Sequence, residues 1–433
     1  MFSYPLTTRL LLSSGLLSPS GALVRRSPPG GFWTLRPTRP LAIAARNDCQ
    51  CILIFMRRRM IAGLALAACF ALNGQAQGPA AACIKDLESI PNFLLENDSG
   101  ARVHLAQLGQ KHFDDALAEA KKEVAKVDDD HSCAFAIDKY LRAWRRGHLG
   151  IAEIPAAPAA TGVELSAEAF AKVQALTEPA IEILSAKTLR LTLKNFALFN
   201  REPLIALLKA HHDDLVGHEN WIIDVRGNGG GSDSSYQPLM SWLMPDEVAS
   251  ANTEILATPA NIEGWTRVCA LSSPGDPECP KLLSSSIARM RKAAPGTYVA
   301  MDDGGAMSYG RVEQLEPHRP SRVAILIDGR CASSCEGFVL EARQSFNVKL
   351  VGQHTSGSLD YSNMRPHDLP SGMRRLWYAT TRSTRIPALM VDVAGIPPDI
   401  YLPIEPASDA KQEEVRRVQS WLERGSLAPR ANR

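Results

Sequence analysis

The sequence predicts an α/β protein with a small helical N-terminal region and a cap-like insertion, and three observations carry that prediction. Strand-like and helix-like segments alternate over residues 188–225 and again over 323–380, the order of a layered fold with a largely parallel sheet. Two largely apolar runs, Trp221-Ile-Ile-Asp-Val225 and Val323-Ala-Ile-Leu-Ile327, have the hydrophobicity of strands covered on both faces. Each of them runs directly into a turn of small residues.

Residues 1–55 carry six arginines and one acid, Asp48, among scattered Pro, Gly and Ser, with no sustained period, and read as a leader outside the fold. Met56 with Arg57, Arg58 and Arg59, the apolar run Met60 to Leu72, and Gly74-Gln75-Ala76 make a signal peptide over 56–76, cleaved after Ala76. The apolar run is too short to span a bilayer stably. Met56 is therefore the expected start. Leu66-Ala67-Ala68-Cys69 also fits a lipoprotein box in which Cys69 is lipidated, and the two readings stand as alternatives.

Hydrophobic residues make up 45 % of the chain and charged residues 22 %, which excludes a disordered or multi-span membrane protein. Up to Ala76 there are nine arginines against one acid, so the net charge of +2 for the whole chain becomes −6 for the remainder. No nucleic-acid partner is implied. Six cysteines follow Ala76, an even number suited to disulfides in an exported chain. Proximity favours Cys269 with Cys279 and Cys331 with Cys335, leaving Cys83 for Cys133; free buried thiols are the alternative.

Residues 77–154 form the expected helical region. Phe113, Leu117, Val124 and Val127 recur at helical spacing, and Phe135, Tyr140, Leu141 and Trp144 mark a second helix ending at Gly147. Pro155 to Thr161 reads as a linker, opening an α/β domain over 155–405. A helix is expected over Ala167 to Leu184, then strand Thr188 to Leu193, helix Pro203 to Leu215 and strand Trp221 to Val225. Residues 232–320 are a less regular insertion, after which come strand Val323 to Ile327, a helix from Ser334 to about Phe346, and strands Val348 to Val351 and Leu376 to Thr380. A C-terminal helix and tail occupy 406–433.

Chemistry concentrates in three places. The Asp224-Val-Arg-Gly-Asn-Gly-Gly-Gly231 turn can expose backbone N–H groups to an anion or developing oxyanion. In Cys331-Ala-Ser-Ser-Cys-Glu336, Ser333 sits at a strand-to-helix junction, where free N–H groups and the helix dipole favour negative charge. Local sequence equally suits a helix cap there, with Glu336 completing a capping box. Third, His148 follows the helical region in Arg146-Gly-His-Leu-Gly150. His211, His212, Asp213, Asp214 and His218 have a metal-like composition, but their place on a polar helix reads as a solvated face. No metal or cofactor is implied.

In this order the segments resemble the family of C-terminal processing peptidases and the tricorn core, over roughly residues 110 to 405 with the insertion poorly matched. Asp224 to Gly231 looks like the family's Asp-Leu-Arg-x-Asn-x-Gly-Gly signature, Cys331 to Glu336 like Ser-Ala-Ser-x-x-Glu, and Gly395-Ile-Pro-Pro-Asp399 like Gly-Val-x-Pro-Asp. The resemblance implies a crotonase- and ClpP-like core, Ser333 as nucleophile, and the N–H groups of Gly230 and Ser334 as oxyanion hole. It makes Glu336 a supporting residue that orients the nucleophile turn. One branch of the family uses a lysine as base, and that position holds Ser358, so a Ser-Lys dyad is not expected. The tricorn-like branch uses a histidine oriented by a carboxylate. His148 and Asp392 occupy those places, with Arg146-Gly147 where many relatives have Asp-Gly, and aspartate where they often have glutamate. His354 is the reserve base. Cys331 and Cys335 flank Ser333, where a disulfide would rigidify the turn.

A serine needs such a base, and a carboxylate beside the imidazole would fix its tautomer. The short interval between His148 and Asp224 leaves no room for a PDZ module, so the insertion is expected to govern access. The resulting expectation is an exported serine endopeptidase, periplasmic or an outer-membrane lipoprotein, acting on peptides or unfolded proteins through an acyl-enzyme. A non-catalytic ligand-binding protein on the same fold and a non-peptide acyl hydrolase are the alternatives; the Ser333 to His148 distance separates the first of these from an enzyme.

Overall fold

The computed structural model describes residues 78–426 apart from 155–166, 245–246, 273–276, 304, 313–318 and 404–409. The leader, the signal peptide, Cys69, the linker and the tail beyond residue 426 lie outside the described residues.

The core is a six-stranded sheet in the order Ile400–Tyr401, Val348–Gly352, Arg322–Ile327, Asn220–Asp224, Thr188–Thr192, Ala180–Ile183. All neighbours are parallel except the last pair. Alternation of side chains splits each central strand between two faces. Trp221, Ile223, Val323, Ile325 and Leu350 pack on Phe338 and Val339 of the helix Ser334–Ala342. On the opposite face Ile222, Ala324, Leu326 and Val351 pack on Val415, Val418 and Leu422 of the C-terminal helix Ala410–Arg424. Both faces are covered, which is why these strands read as largely apolar runs.

Parallel pairing has a functional consequence. Asp224 lies opposite Leu326, so the turns that leave the two strands emerge side by side at one edge of the sheet. This is where parallel α/β sheets place their sites.

A second, antiparallel sheet carries Leu149–Glu153, Arg374–Ser383, Thr253–Ala257 and Thr297–Ala300, with Tyr361–Asp368 also paired to Arg374–Ser383. The strand expected at Leu376 to Thr380 belongs here and not to the parallel sheet. Two strands of the 232–320 insertion join it as well, while Glu247–Ala251 and Met307–Arg311 form a separate ribbon. The helices Pro79–Asn97, Ala101–Leu108, Gln110–Val124 and Asp130–Trp144 pack on Leu376 and Tyr378 of the same sheet and on Leu369 in the connection between two of its strands. The helical region therefore shares its core with the sheet that delivers His148.

Three disulfides are present, Cys83–Cys133, Cys269–Cys279 and Cys331–Cys335, matching the pairing that proximity favours. Some elements are shorter than expected. The helix over 167–184 stops at Thr177, because Pro179 follows and Ala180–Ile183 pairs as an edge strand. The helix after Ser333 ends at Ala342, and the one over 203–215 breaks into Arg201–Ala210 and His212–Gly217.

Candidate active site

Ser333 occupies the first turn after the strand Arg322–Ile327, as the N-cap of the helix Ser334–Ala342. Its φ of 59° and ψ of −125° lie in a region that side chains rarely adopt, the strained strand-to-helix turn that lifts a hydroxyl above a sheet. Glu336 holds the turn. Its fully buried carboxylate accepts the Ser333 N–H at 3.2 Å, the Gly357 N–H at 2.7 Å, the Ser358 N–H at 2.8 Å and the Thr355 hydroxyl at 2.6 Å. Burial raises its pKa, and these four donors oppose that by stabilising the carboxylate. The capping box expected from the sequence is present, so cap and site residue are the same serine.

The strain at Ser333 gives a stability prediction. Ser333→Gly and Ser333→Ala both remove the hydroxyl, but only glycine relieves the left-handed backbone. Urea denaturation should show the glycine variant more stable than the alanine variant by about 1 kcal/mol; the reverse order would mean that the turn is unstrained.

His148 comes from the start of the strand Leu149–Glu153, in the second sheet, and its Nε2 lies 3.0 Å from Ser333 Oγ. The ring is 8 % exposed. Its Nδ1 lies 2.7 Å from the backbone carbonyl of Tyr361. A carbonyl oxygen only accepts, so Nδ1 must carry the proton and Nε2 presents its lone pair to the serine hydroxyl. Burial, reinforced by the Arg145 guanidinium, lowers the His148 pKa to about 4. Arg145 is itself locked by Asp98, 2.6 Å away and equally buried, and donates to the His148 carbonyl at 2.8 Å.

The expected carboxylate does not reach the imidazole. Asp392 Oδ1 instead accepts the backbone N–H of Leu359 at 2.6 Å and of Asp360 at 2.7 Å. Asp360 reciprocates, accepting from the N–H groups of Val391 and Asp392 at 2.7 and 2.8 Å. The two aspartates clasp residues 359–360 to 391–392, which places the Tyr361 carbonyl next in line. Aspartate is one methylene shorter than glutamate, and the clasp uses that short reach locally. Burial raises the Asp392 pKa to about 6.

The two expected oxyanion donors also differ. The Ser334 N–H has no hydrogen-bond partner among the described residues, whereas the Gly230 N–H donates to Asn228 Oδ1 at 2.9 Å. Gly230 presses against the Ser333 turn: a Cβ there would lie 2.6 Å from the Ala332 carbonyl and 2.8 Å from Ser333 Cβ. Asn228 also binds the Leu193 carbonyl through Nδ2 and the Ala332 N–H through its own carbonyl, tying the glycine turn to the serine turn. Arg226 fastens the same loop from outside, pairing with Asp224 and with Glu414 of the C-terminal helix. Ser358, at the lysine position, accepts the Ser333 N–H through its carbonyl at 3.1 Å. His354 is exposed, bonded to the Ala394 carbonyl at 3.2 Å, and takes no part.

Sequence reasoning missed Tyr361, Asn228, Asp360 and the Arg145–Asp98 pair. Tyr361 acts through its carbonyl, which no side-chain pattern can reveal. Asn228 stood inside a recognised signature, and its position was the available signal.

A cavity of about 750 Å³ opens beside the helix Ser334–Ala342. Gly337, Leu340 and Glu341 of that helix and Leu359 line one side, with Ser250 and Tyr309 of the insertion on the other. Burial and the nearby Asp233 raise the Glu341 pKa to about 7.

A strained serine at a helix N-terminus, in hydrogen-bond contact with a neutral buried histidine on an α/β sheet, defines the serine-hydrolase class. Residues 189–402 match the model of peptidase family S41, and the chain is a serine peptidase. Among solved structures, mature CPAF complexed with lactacystin superposes with a TM-score of 0.53 at 11 % identity, covering 80 % of this chain and 99 % of that one. Mature CPAF alone gives 0.53 at 11 % identity, over 81 % and 99 %. The photosystem II D1 C-terminal processing protease aligns with 52 % of this chain and 48 % of its own, at 12 % identity and a TM-score of 0.32. These likenesses concern the fold. No curated protein sequence matches this chain.

Proposed function

We propose that this chain is an exported serine endopeptidase that cleaves peptides or unfolded proteins through an acyl-enzyme at Ser333. The 3.0 Å contact between Ser333 Oγ and His148 Nε2 carries the reading, because a ligand-binding relative has no need of an aligned base. In the proposed reaction His148 Nε2 takes the hydroxyl proton as Ser333 Oγ attacks the scissile carbonyl carbon. The resulting imidazolium donates from Nδ1 to the Tyr361 carbonyl and returns its Nε2 proton to the leaving amine. Water then hydrolyses the ester through the same base. The Ser334 N–H is the first oxyanion donor, and Gly230 adds a second when its amide leaves Asn228. Asp392 and Asp360 act as positioning residues, holding the Tyr361 carbonyl on the imidazole.

Export is supported by the three disulfides, which persist in oxidising compartments, and by the basic-apolar-small pattern over 56–76. Among the described residues no helix is long and apolar enough to cross a membrane. The insertion, which lines the cavity along the helix Ser334–Ala342, is the proposed gate for substrate access. Digestion of an unfolded-protein and peptide library tests the activity: cleavage by the wild type that vanishes in Ser333→Ala supports it, and no cleavage by either, or equal cleavage by both, refutes it.

The His148 environment fixes the pH dependence. With its pKa near 4 the base stays neutral at pH 5.5, where a histidine of ordinary pKa would be about nine-tenths protonated. The acid limb of kcat/KM should therefore leave activity at pH 5.5 within about twofold of that at pH 7, against roughly a tenfold loss for an unshifted histidine. Stability follows the same sign. The folded state binds this proton less tightly than the unfolded chain, so the contribution is complete above about 6.5 and is lost as pH falls towards about 4.

A further inference from the structure

We infer that the Cys331–Cys335 disulfide is a positioning clamp for the nucleophile turn, so that peptidase activity depends on this one bridge being oxidised. The inference rests on the assignment of Ser333 as nucleophile.

The bridge closes around Ala332, Ser333 and Ser334 and brings the Cα atoms of Cys331 and Cys335 within 5.3 Å. The same stretch of chain, extended, would span roughly 13 Å. Closure therefore compels a reversal centred on Ser333, the residue with the left-handed φ of 59°. The other contacts are hydrogen bonds: Ser333 N–H to Glu336 and to the Ser358 carbonyl, Ala332 N–H to the Asn228 carbonyl, Ser356 N–H to the Cys331 carbonyl, Cys335 N–H to the Ala332 carbonyl and Gly337 N–H to the Ser333 carbonyl. None of them spans the turn covalently.

Loop length separates a local from a global role. A bridge stabilises a fold chiefly by shrinking the unfolded ensemble, and that effect grows with the loop it closes. The three bridges have sequence separations of 50, 10 and 4, and the one around Ser333 has the smallest such effect. Its placement serves local geometry. Both sulfur-bearing residues are fully buried, so a dithiol reductant reaches the bond only when the turn opens. Exchange then passes two electrons and two protons from the dithiol to the bridge, leaving two cysteine thiols and the reductant as a disulfide. Glutathione disulfide reverses it, yielding two glutathione thiols. In a reducing compartment the newly made chain has a flexible Ser333 turn, and oxidation completes the site.

The test compares Cys331→Ala/Cys335→Ala with Cys269→Ala/Cys279→Ala and the wild type, by kcat, KM and circular dichroism. Displacing a reacting atom by about 1 Å costs about a hundredfold, so the first variant should lose about that factor in kcat, with KM within about threefold and an unchanged spectrum. The second should keep kcat within about twofold of the wild type. A kcat for the first variant within about threefold of the wild type overturns the clamp. If that variant does not fold, the wild type is titrated with dithiothreitol and parallel samples are mapped by alkylation and mass spectrometry. Activity should fall in step with reduction of Cys331 and Cys335 and return with glutathione disulfide; full activity with both reduced overturns the clamp. Ser333→Ala with its bridge intact keeps the two failures apart: retained activity there refutes the nucleophile and with it the basis of the clamp, whereas lost activity there beside full activity in the Cys331→Ala/Cys335→Ala variant refutes the clamp alone.

Discussion

His148→Ala is expected to lower kcat by about 10⁴- to 10⁶-fold while leaving KM within a few-fold, the cost of removing the base from a serine-histidine unit. The size follows from the site. Among the described residues His148 is the only imidazole hydrogen-bonded to Ser333, and the lysine position of the alternative dyad holds Ser358. The Tyr361 carbonyl is a neutral partner for Nδ1, so it fixes the tautomer without supplying the full charge stabilisation of a carboxylate. His354→Ala, at the reserve position, should leave kcat unchanged because its exposed ring is bonded to the Ala394 carbonyl and not to the serine. Steady-state kinetics on a cleaved peptide read both outcomes.

Gly230→Ala is expected to disable the site although glycine carries no reactive side chain. A Cβ would meet the Ala332 carbonyl at 2.6 Å, Ser333 Cβ at 2.8 Å and the Ser334 nitrogen at 2.9 Å. None of these atoms lies at the end of a flexible side chain, so the nucleophile turn itself must move. The φ of +92° adds strain that only glycine escapes. Loss of about a hundredfold or more in kcat and about 2–4 kcal/mol in stability follows. Gly229→Ala, one residue earlier, meets nothing within 4 Å, and should stay within about twofold of the wild type in kcat. Paired denaturation and kinetic measurements distinguish the two.

The parallel core was legible because strands buried on both faces are mostly apolar, as Val323 to Ile327 is throughout and Trp221 to Val225 is apart from Asp224. The antiparallel sheet was less so. Tyr361–Asp368 mixes Ser, Asn, Arg, Pro, His and Asp, and its half-buried residues pair through the backbone with Arg374–Ser383, so its sequence lacks a strand signal. Leu149–Glu153 is short and contains glycine, and tertiary pairing makes it a strand. At the site, Ser333 and His148 lie within hydrogen-bond distance although 185 positions apart in sequence, and the order of motifs pointed to the pair where neither residue did alone. Asp392 shows where that ends. Its proximity in sequence to the terminal signature was readable, but the direction of a short carboxylate depends on which backbone amides lie within reach, and those belong to residues 359 and 360.

The most direct test of the account is covalent labelling with a fluorophosphonate, followed by peptide mapping of the wild type and Ser333→Ala. A single adduct on Ser333 in the wild type, absent from Ser333→Ala and strongly slowed in His148→Ala, is the predicted result. Labelling that persists in Ser333→Ala, or an adduct mapped to another serine, would contradict it.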